Sequence, residues 1–392
     1  MGQFRRPLFW IVFIIILILA VIGGVLVLDG DIPDKSPPEE IPDENMGDGE
    51  EIPPPPTYEQ LAQGILEKMT LDEKVGQMFF VRCRKDTAIA DIEKYSPGGY
   101  ILFAVDIEGN TKESLKSKIS SYQDASKIRL LIGVDEEGGD IVRVSKYPEF
   151  RAVPFHSPQS LYAEGGYQLI IDDTKEKDAL LKSLGFNINL APVCDVSVDP
   201  SDYIYERTFG KDAGTTAEYV RTVVETMNAD GVGCALKHFP GYGNNADTHK
   251  GIAIDERSYD TFVNSDFIPF QAGIAAGAGS VLVSHNIVKC MDENLPASLS
   301  PAVHDILRTD LGFDGIVMTD DLKMDAIKEY IGDETSAVLA IKAGNDLILA
   351  SDFDLQIPSV LAAIENGDIT EARIDESVLK ILAWKLRLGI IS

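Results

Sequence analysis

The sequence predicts an α/β fold: a TIM-like (β/α)8 barrel, preceded by an N-terminal transmembrane helix and a disordered linker. Three observations carry this. Eight short apolar, β-branched runs recur between residues 75 and 350. Amphipathic stretches of helical period separate them. Charge is also partitioned sharply along the chain. The 392 residues carry a formal net charge of −28, from 35 Lys+Arg against 63 Asp+Glu, with 45% apolar and 25% charged residues. That apolar fraction is ordinary for a globular protein and excludes disorder throughout. So negative a balance excludes nucleic-acid binding through a basic face. Four cysteines cannot make a disulfide scaffold, and the absence of a C-x-x-C pair gives no zinc or redox motif.

The first element is the anchor, residues 1–28. Pro7 to Leu28 is 22 residues without a charge, and about 20 apolar helical residues span a bilayer core. A cleaved signal peptide, the alternative, usually has a shorter apolar region and an A-x-A-like site, and none is seen here. Arg5 and Arg6 should stay cytoplasmic, which would place the chain after Leu28 outside. The second element, 29–56, holds ten acids, one base and eight prolines. Such a segment cannot offset its ordering entropy and should be an extended spacer.

Residues 57–392 carry the remaining −21 and read as one barrel domain. The expected strands are Val75–Val81, Gly99–Ala104, Leu130–Asp135, Asn187–Pro192, Gly233–His238, Ser280–His285, Gly315–Asp320 and Asn345–Ala350. Helical patterns between them include Thr215–Asp230, Ser258–Ala276 and Pro301–Leu311. Near-continuous apolar strands alternating with helices argue for a parallel sheet covered on both faces. Eight units in about 330 residues fit a barrel. A doubly wound sheet is the alternative, weakened by the missing G-x-G-x-x-G.

Barrel chemistry sits where strands end and loops begin. Here the strand ends deliver Asp135, Asp195 and Arg207 (in APVCDVSVDP and ERTFG), Lys237 and His238, Ser284-His285-Asn286, and Asp320-Asp321. Charged and imidazole groups on one rim suit a polyhydroxylated ligand and acid/base chemistry. The richest segment is KHFPGYGNNADTHKG, residues 237–251. In extended backbone, Asp247 and His249 lie on the same side, so the carboxylate can orient the imidazole as a proton donor and acceptor.

KHFPGYG followed by DTH, with VDEEGG upstream and VMTDDLKM downstream, resembles glycoside hydrolase family 3. The nearest branch is the single-barrel β-N-acetylglucosaminidases, and the likeness covers about residues 57–392. It implies hydrolysis of terminal β-linked N-acetylglucosamine from peptidoglycan fragments or chito-oligosaccharides, with retention, through a covalent glycosyl-enzyme. It assigns Asp320 as nucleophile, with Asp321 the rival, since successive strand residues point opposite ways. It assigns His249 as acid/base and Asp247 as its partner. Asp135, Arg207, Lys237 and His238 match sugar-binding positions. Lys237 and Arg207 would also help keep Asp320 ionised. Asp195, His285 and His304 are expected to be structural, and His156 receives no role.

The family often has His where Tyr242 stands, Ser for Thr248, Pro for Ala253, Gln for Glu136 and Arg for Asp140. Two other functions stay open: phosphorolysis, because a neutral histidine repels phosphate less than a carboxylate would, and a wall-anchored carbohydrate-binding protein without turnover. No metal or cofactor is expected. Cys83, Cys194, Cys234 and Cys290 are expected to be buried free thiols. Cys194 and Cys234 are the pair that could bridge.

Overall fold

Thr57 and Thr70 start the domain with the same device. Each hydroxyl accepts the backbone N–H three residues on, while Gln60 or Glu73 returns a bond to the threonine N–H. These capping boxes launch the helices Tyr58–Leu66 and Leu71–Gln77. The computed structural model describes residues 55–245, 253–324, 327 and 333–392. The anticipated anchor, and all but two residues of the anticipated linker, fall outside them. Among the described residues no helix is long and apolar enough to cross a membrane. Residues 55–392 form one compact unit.

Its strands are β1 (Phe79–Arg82), β2 (Gly99–Ile101), β3 (Leu131–Val134), β4 (Ile188–Asn189), β5 (Gly233–Phe239), β6 (Ile254–Asp255), β7 (Ser280–Val283), β8 (Ile287–Val288), β9 (Ile316–Thr319) and β10 (Ile348–Ala350). Eight of them form one parallel sheet in the order β10-β1-β2-β3-β4-β5-β7-β9. A parallel bridge between Met318 and Leu347, with Thr319 N–H donating to the Leu347 carbonyl at 3.2 Å, joins the two ends. The sheet is therefore barrel-like, with strands in sequence order, and lacks the order reversal of a doubly wound fold. The short parallel pair β6–β8 stands apart from this sheet.

All eight expected strands exist, several with shorter bounds: Asn187–Pro192 is strand only over Ile188–Asn189, and Ala104 opens a short helix. Residues 75–77 belong to a helix, because the capping box at Thr70 outweighs the local β-branched pattern. The helix at 213–230 starts at an Asp212 cap and stops at left-handed Gly231. The expected helix 258–276 is interrupted by a π turn at Phe262–Asp266, and 301–311 ends in another at Ile306–Asp310. Inside the barrel the Phe80 ring lies over two glycines. A Cβ on Gly133 would sit 2.4 Å from its Cζ, and one on Gly99 2.8 Å from its Cδ2.

The cysteine expectation needs correction. Cys83, Cys194 and Cys234 are buried and free, so Cys194 and Cys234 do not bridge, and Cys290 is exposed. The helix Pro158–Leu184 carries an acid into the interior, Asp178, which is 1% exposed. Burial, reinforced by the Asp230 carboxylate, pushes its pKa up to about 7.

A carboxyl raised in the folded state binds an extra proton on folding. Its stabilisation is complete below the unfolded pKa near 4 and is lost as pH rises toward 7. Asp178→Asn should therefore raise the melting temperature above pH 7 and leave it nearly unchanged near pH 4. The difference should be on the order of 2–4 kcal/mol, at about 1.4 kcal/mol for each tenfold change in proton affinity. Thermal unfolding across this range measures it.

Candidate active site

The parallel register brings the ends of β3, β4, β5, β7 and β9 to one level. Val134 pairs with Asn189, Asn189 with Cys234, Phe239 with Val283, and Val283 with Thr319. Asp135, Lys237, His238, Ser284 and Asp320 therefore emerge on the same rim.

Asp135, Arg207, Lys237 and His238 form one network around Glu137, a residue not singled out from the sequence. Lys237 Nζ donates to Asp135 Oδ1 at 2.8 Å and lies 2.7 Å from Glu137 Oε1. Arg207 grips the same carboxylate through two bonds: Nε to Oε2 at 3.1 Å and Nη2 to Oε1 at 2.7 Å. Burial opposes the charge on Glu137, but Arg207 and Lys237 outweigh it and hold the carboxyl well below the usual range. The two carboxylates reciprocally offset the desolvation of Lys237 and keep its pKa raised. The cations expected to support Asp320 thus have anions of their own.

Arg207 Nη2 also lies 3.2 Å from His238 Nε2. A guanidinium has no acceptor, so Nε2 accepts and the ring proton sits on Nδ1. That proton is donated to Asp195 Oδ2 at 2.8 Å. Asp195 also accepts the N–H of His238 at 3.1 Å and of Tyr242 at 2.7 Å. It fixes the start of the loop after β5, as expected of a structural residue. Glu136 is a second loop anchor. Its buried carboxylate accepts the N–H groups of Arg143, Val144 and Ser145 at 2.7, 2.7 and 3.0 Å, and the Ser145 hydroxyl.

At the end of β9, the Asp320 N–H donates to the Val283 carbonyl at 3.1 Å, and Asp320 Oδ1 accepts the Asp321 N–H at 2.8 Å. Its rival is committed elsewhere. Asp321 Oδ1 accepts the N–H groups of Lys323 and Ser351 at 3.0 and 3.1 Å, and Oδ2 accepts the Ser351 hydroxyl. His285 braces this turn, with Nε2 3.1 Å from the Asp321 carbonyl and Nδ1 2.7 Å from the Ser298 hydroxyl. His304 is buried, its Nδ1 on the Ser300 carbonyl at 2.8 Å. Asp247 and His249 lie outside the described residues. Among the described residues no group of three or more His, Cys, Asp or Glu is placed to hold a metal.

A barrel-like parallel sheet that gathers paired charges, a fixed imidazole and the Asp320 carboxylate on one rim is the form of a barrel enzyme whose chemistry sits at the strand ends. The model of the glycosyl hydrolase family 3 N terminal domain matches residues 70–384. The chain belongs to glycoside hydrolase family 3, and it is a glycoside hydrolase. It is 30% identical over 335 residues to beta-hexosaminidase LpqI of Mycobacterium tuberculosis, covering 82% of this chain and 84% of the relative. Among solved structures it is similar to a family 3 beta-N-acetylglucosaminidase from Paenibacillus sp. str. FPU-7. That match has a TM-score of 0.77 at 30% identity and covers 82% of this chain and 63% of that one. The structure of M tuberculosis LpqI matches with a TM-score of 0.75 at 27% identity, covering 82% and 95%.

Glu137 was legible only as the third acid of VDEEGG. The signal that could have found it is stoichiometric, since two rim cations require a buried counter-charge. Glu137→Gln should lower stability by about 3–5 kcal/mol, the usual cost of breaking a buried ion pair by removing one partner. Urea unfolding measures this, and a loss within error of zero would mean the network is not buried in solution.

Proposed function

We propose that the chain is a retaining exo-β-N-acetylglucosaminidase. It would hydrolyse terminal β-linked N-acetylglucosamine from peptidoglycan fragments or chito-oligosaccharides through a covalent glycosyl-enzyme. The observation that carries the reading is the pair of aspartates after β9: Asp321 spends both oxygens on Ser351 and the Lys323 N–H, while Asp320 stands at the rim and takes the Asp321 N–H on Oδ1. The names of the relatives, hexosaminidase and N-acetylglucosaminidase, support the substrate class.

In the first step His249, oriented by Asp247, gives its proton to the glycosidic oxygen while Asp320 attacks the anomeric carbon. The Asp321 N–H supports the ionised nucleophile. In the second, His249 takes a proton from water, water attacks the anomeric carbon, and the Asp320 carboxylate leaves with net retention. Asp135, Arg207, Lys237 and His238 hold the sugar, locked in place by Glu137 and Asp195.

Hydrolysis is favoured over phosphorolysis by the state of the rim cations. Lys237 and Arg207 are each engaged by buried or half-buried carboxylates, so a phosphate would have to displace an anion from each. Product analysis with and without phosphate decides. Sugar 1-phosphate as the main product would reverse this assignment.

The uncharged run Pro7–Leu28 supports a signal-anchor, with residues 29–56 as spacer and the barrel outside the membrane. Retention of the full-length chain in the membrane fraction after a high-salt wash, with the barrel open to added protease in intact cells, tests this.

Asp320→Ala should abolish chromophore release from an aryl N-acetyl-β-glucosaminide, and His249→Ala should lose roughly 10²–10⁴-fold. A 2-fluoro sugar should label Asp320 and not Asp321, read by peptide mass spectrometry. Label on Asp321 would exchange their roles, and no label at all would favour a binding protein without turnover.

A further inference from the structure

The loop that follows β5 begins and ends on one guanidinium. On its leading stem, Arg257 Nη2 donates to the Gly241 carbonyl at 3.0 Å. On its trailing stem, Arg257 Nε donates to both Asp255 oxygens at 3.1 and 3.0 Å, and Nη2 to Oδ2 at 2.8 Å. Nη1 spans Asp266, at 2.9 Å to Oδ1 and 3.1 Å to Oδ2. Asn245 Nδ2, on the leading stem, donates to Asp255 Oδ2 at 2.7 Å and closes the ring. Asp255 and Asp266 are buried, and the guanidinium lies over the Phe262 ring at 4.4 Å.

The backbone is shaped to admit this clamp. A Cβ on Gly243 would meet Arg257 Cζ at 2.4 Å, and one on Gly241 would meet Asp266 Oδ1 at 2.4 Å. The trailing stem is tied to the fold through β6–β8 and the Lys289 N–H on the Asp255 carbonyl at 3.0 Å. The leading stem is tied to the sugar-binding network through the Tyr242 N–H on Asp195. Only residues 246–252, which contain Asp247 and His249, separate the stems in sequence.

We infer that Arg257 is the positioning residue of the acid/base: by clamping both stems of this loop it sets where His249 is presented to the leaving oxygen. The inference rests on the reading of His249 given above. A planar fork with five donors is needed, because the acceptors lie on three sides of the guanidinium, and lysine's three donors on one nitrogen cannot span them. A misplacement of about 1 Å in a catalytic group can cost about 10²-fold.

A residue that merely stabilised the fold would depress all substrates alike. A residue that positions the proton donor matters in proportion to how much help the leaving group needs. The test compares wild type, Arg257→Lys, Asn245→Ala and His249→Ala on two N-acetyl-β-glucosaminides, one with a 2,4-dinitrophenyl and one with an unsubstituted phenyl leaving group. Arg257→Lys should lose about 10²-fold or more in kcat/KM on the phenyl substrate and less than tenfold on the dinitrophenyl one. Asn245→Ala, which removes a single bond of the ring, should show the same split at smaller size, and it carries the test if Arg257→Lys does not fold. Azide should restore turnover of the dinitrophenyl substrate by attacking the glycosyl–Asp320 intermediate to give the glycosyl azide and free carboxylate. Equal losses on both substrates, or no loss, in the folded variants while His249→Ala shows the split would overturn the role of Arg257 alone. Absence of the split in His249→Ala would remove the acid/base reading and this inference with it.

Discussion

The charge on Glu137 is the constraint on which the rim depends. It sits just after β3, and its two partners come from elsewhere: Lys237 from the end of β5, and Arg207 from the short turn Tyr205–Arg207 in the loop after β4. One carboxylate therefore ties three consecutive strand ends. Each of the three ions would be costly to bury alone, and together they are mutually offset. A hydrophobic cluster could join the same strands at less cost, but it would leave nothing to bind hydroxyl groups. The network yields a set of donors and acceptors held still before any ligand arrives, which is what recognition of a sugar ring requires.

The consequence spreads outward through His238. Because Arg207 already donates toward Nε2, the imidazole is fixed as the Nδ1–H tautomer, and Asp195 receives that proton. Asp195 then uses its other oxygen on the Tyr242 N–H. From Glu137 to the first residues of the loop after β5 there is an unbroken chain of charge-assisted bonds.

The architecture was legible because strand and helix periods are set locally and repeat eight times. The error at residues 75–77 shows the limit. Val75 reads as strand by propensity, yet the bonds between Thr70 and Glu73 start a helix that consumes it. Asp135, Lys237, His238 and Arg207 were legible as a group because barrel topology places all strand ends on one face. Glu137 was not, because in DEEGG nothing in the letters separates a loop anchor from an ion-pair hub; Glu136 took the first role and Glu137 the second. Arg257 was hidden for another reason. Its partners Gly241, Asp255 and Asp266 are within 16 residues, but only the folded return of the chain turns that spacing into a clamp. Strand alternation implied only that Asp320 and Asp321 differ, and the motif chose between them; in the structure Ser351, just after β10, takes the Asp321 carboxylate.

These arrangements divide the rim into two kinds of support. Around Glu137 the ligand-facing side chains are themselves the fixed objects. Around Arg257 the fixed objects are the stems, and the sequence between them includes Asp247 and His249, the proposed acid/base pair. A nucleophile and a sugar-binding set must hold one geometry through both steps, so direct ion pairing suits them. A proton donor faces a leaving group in the first step and a water in the second, two oxygens that do not occupy the same point.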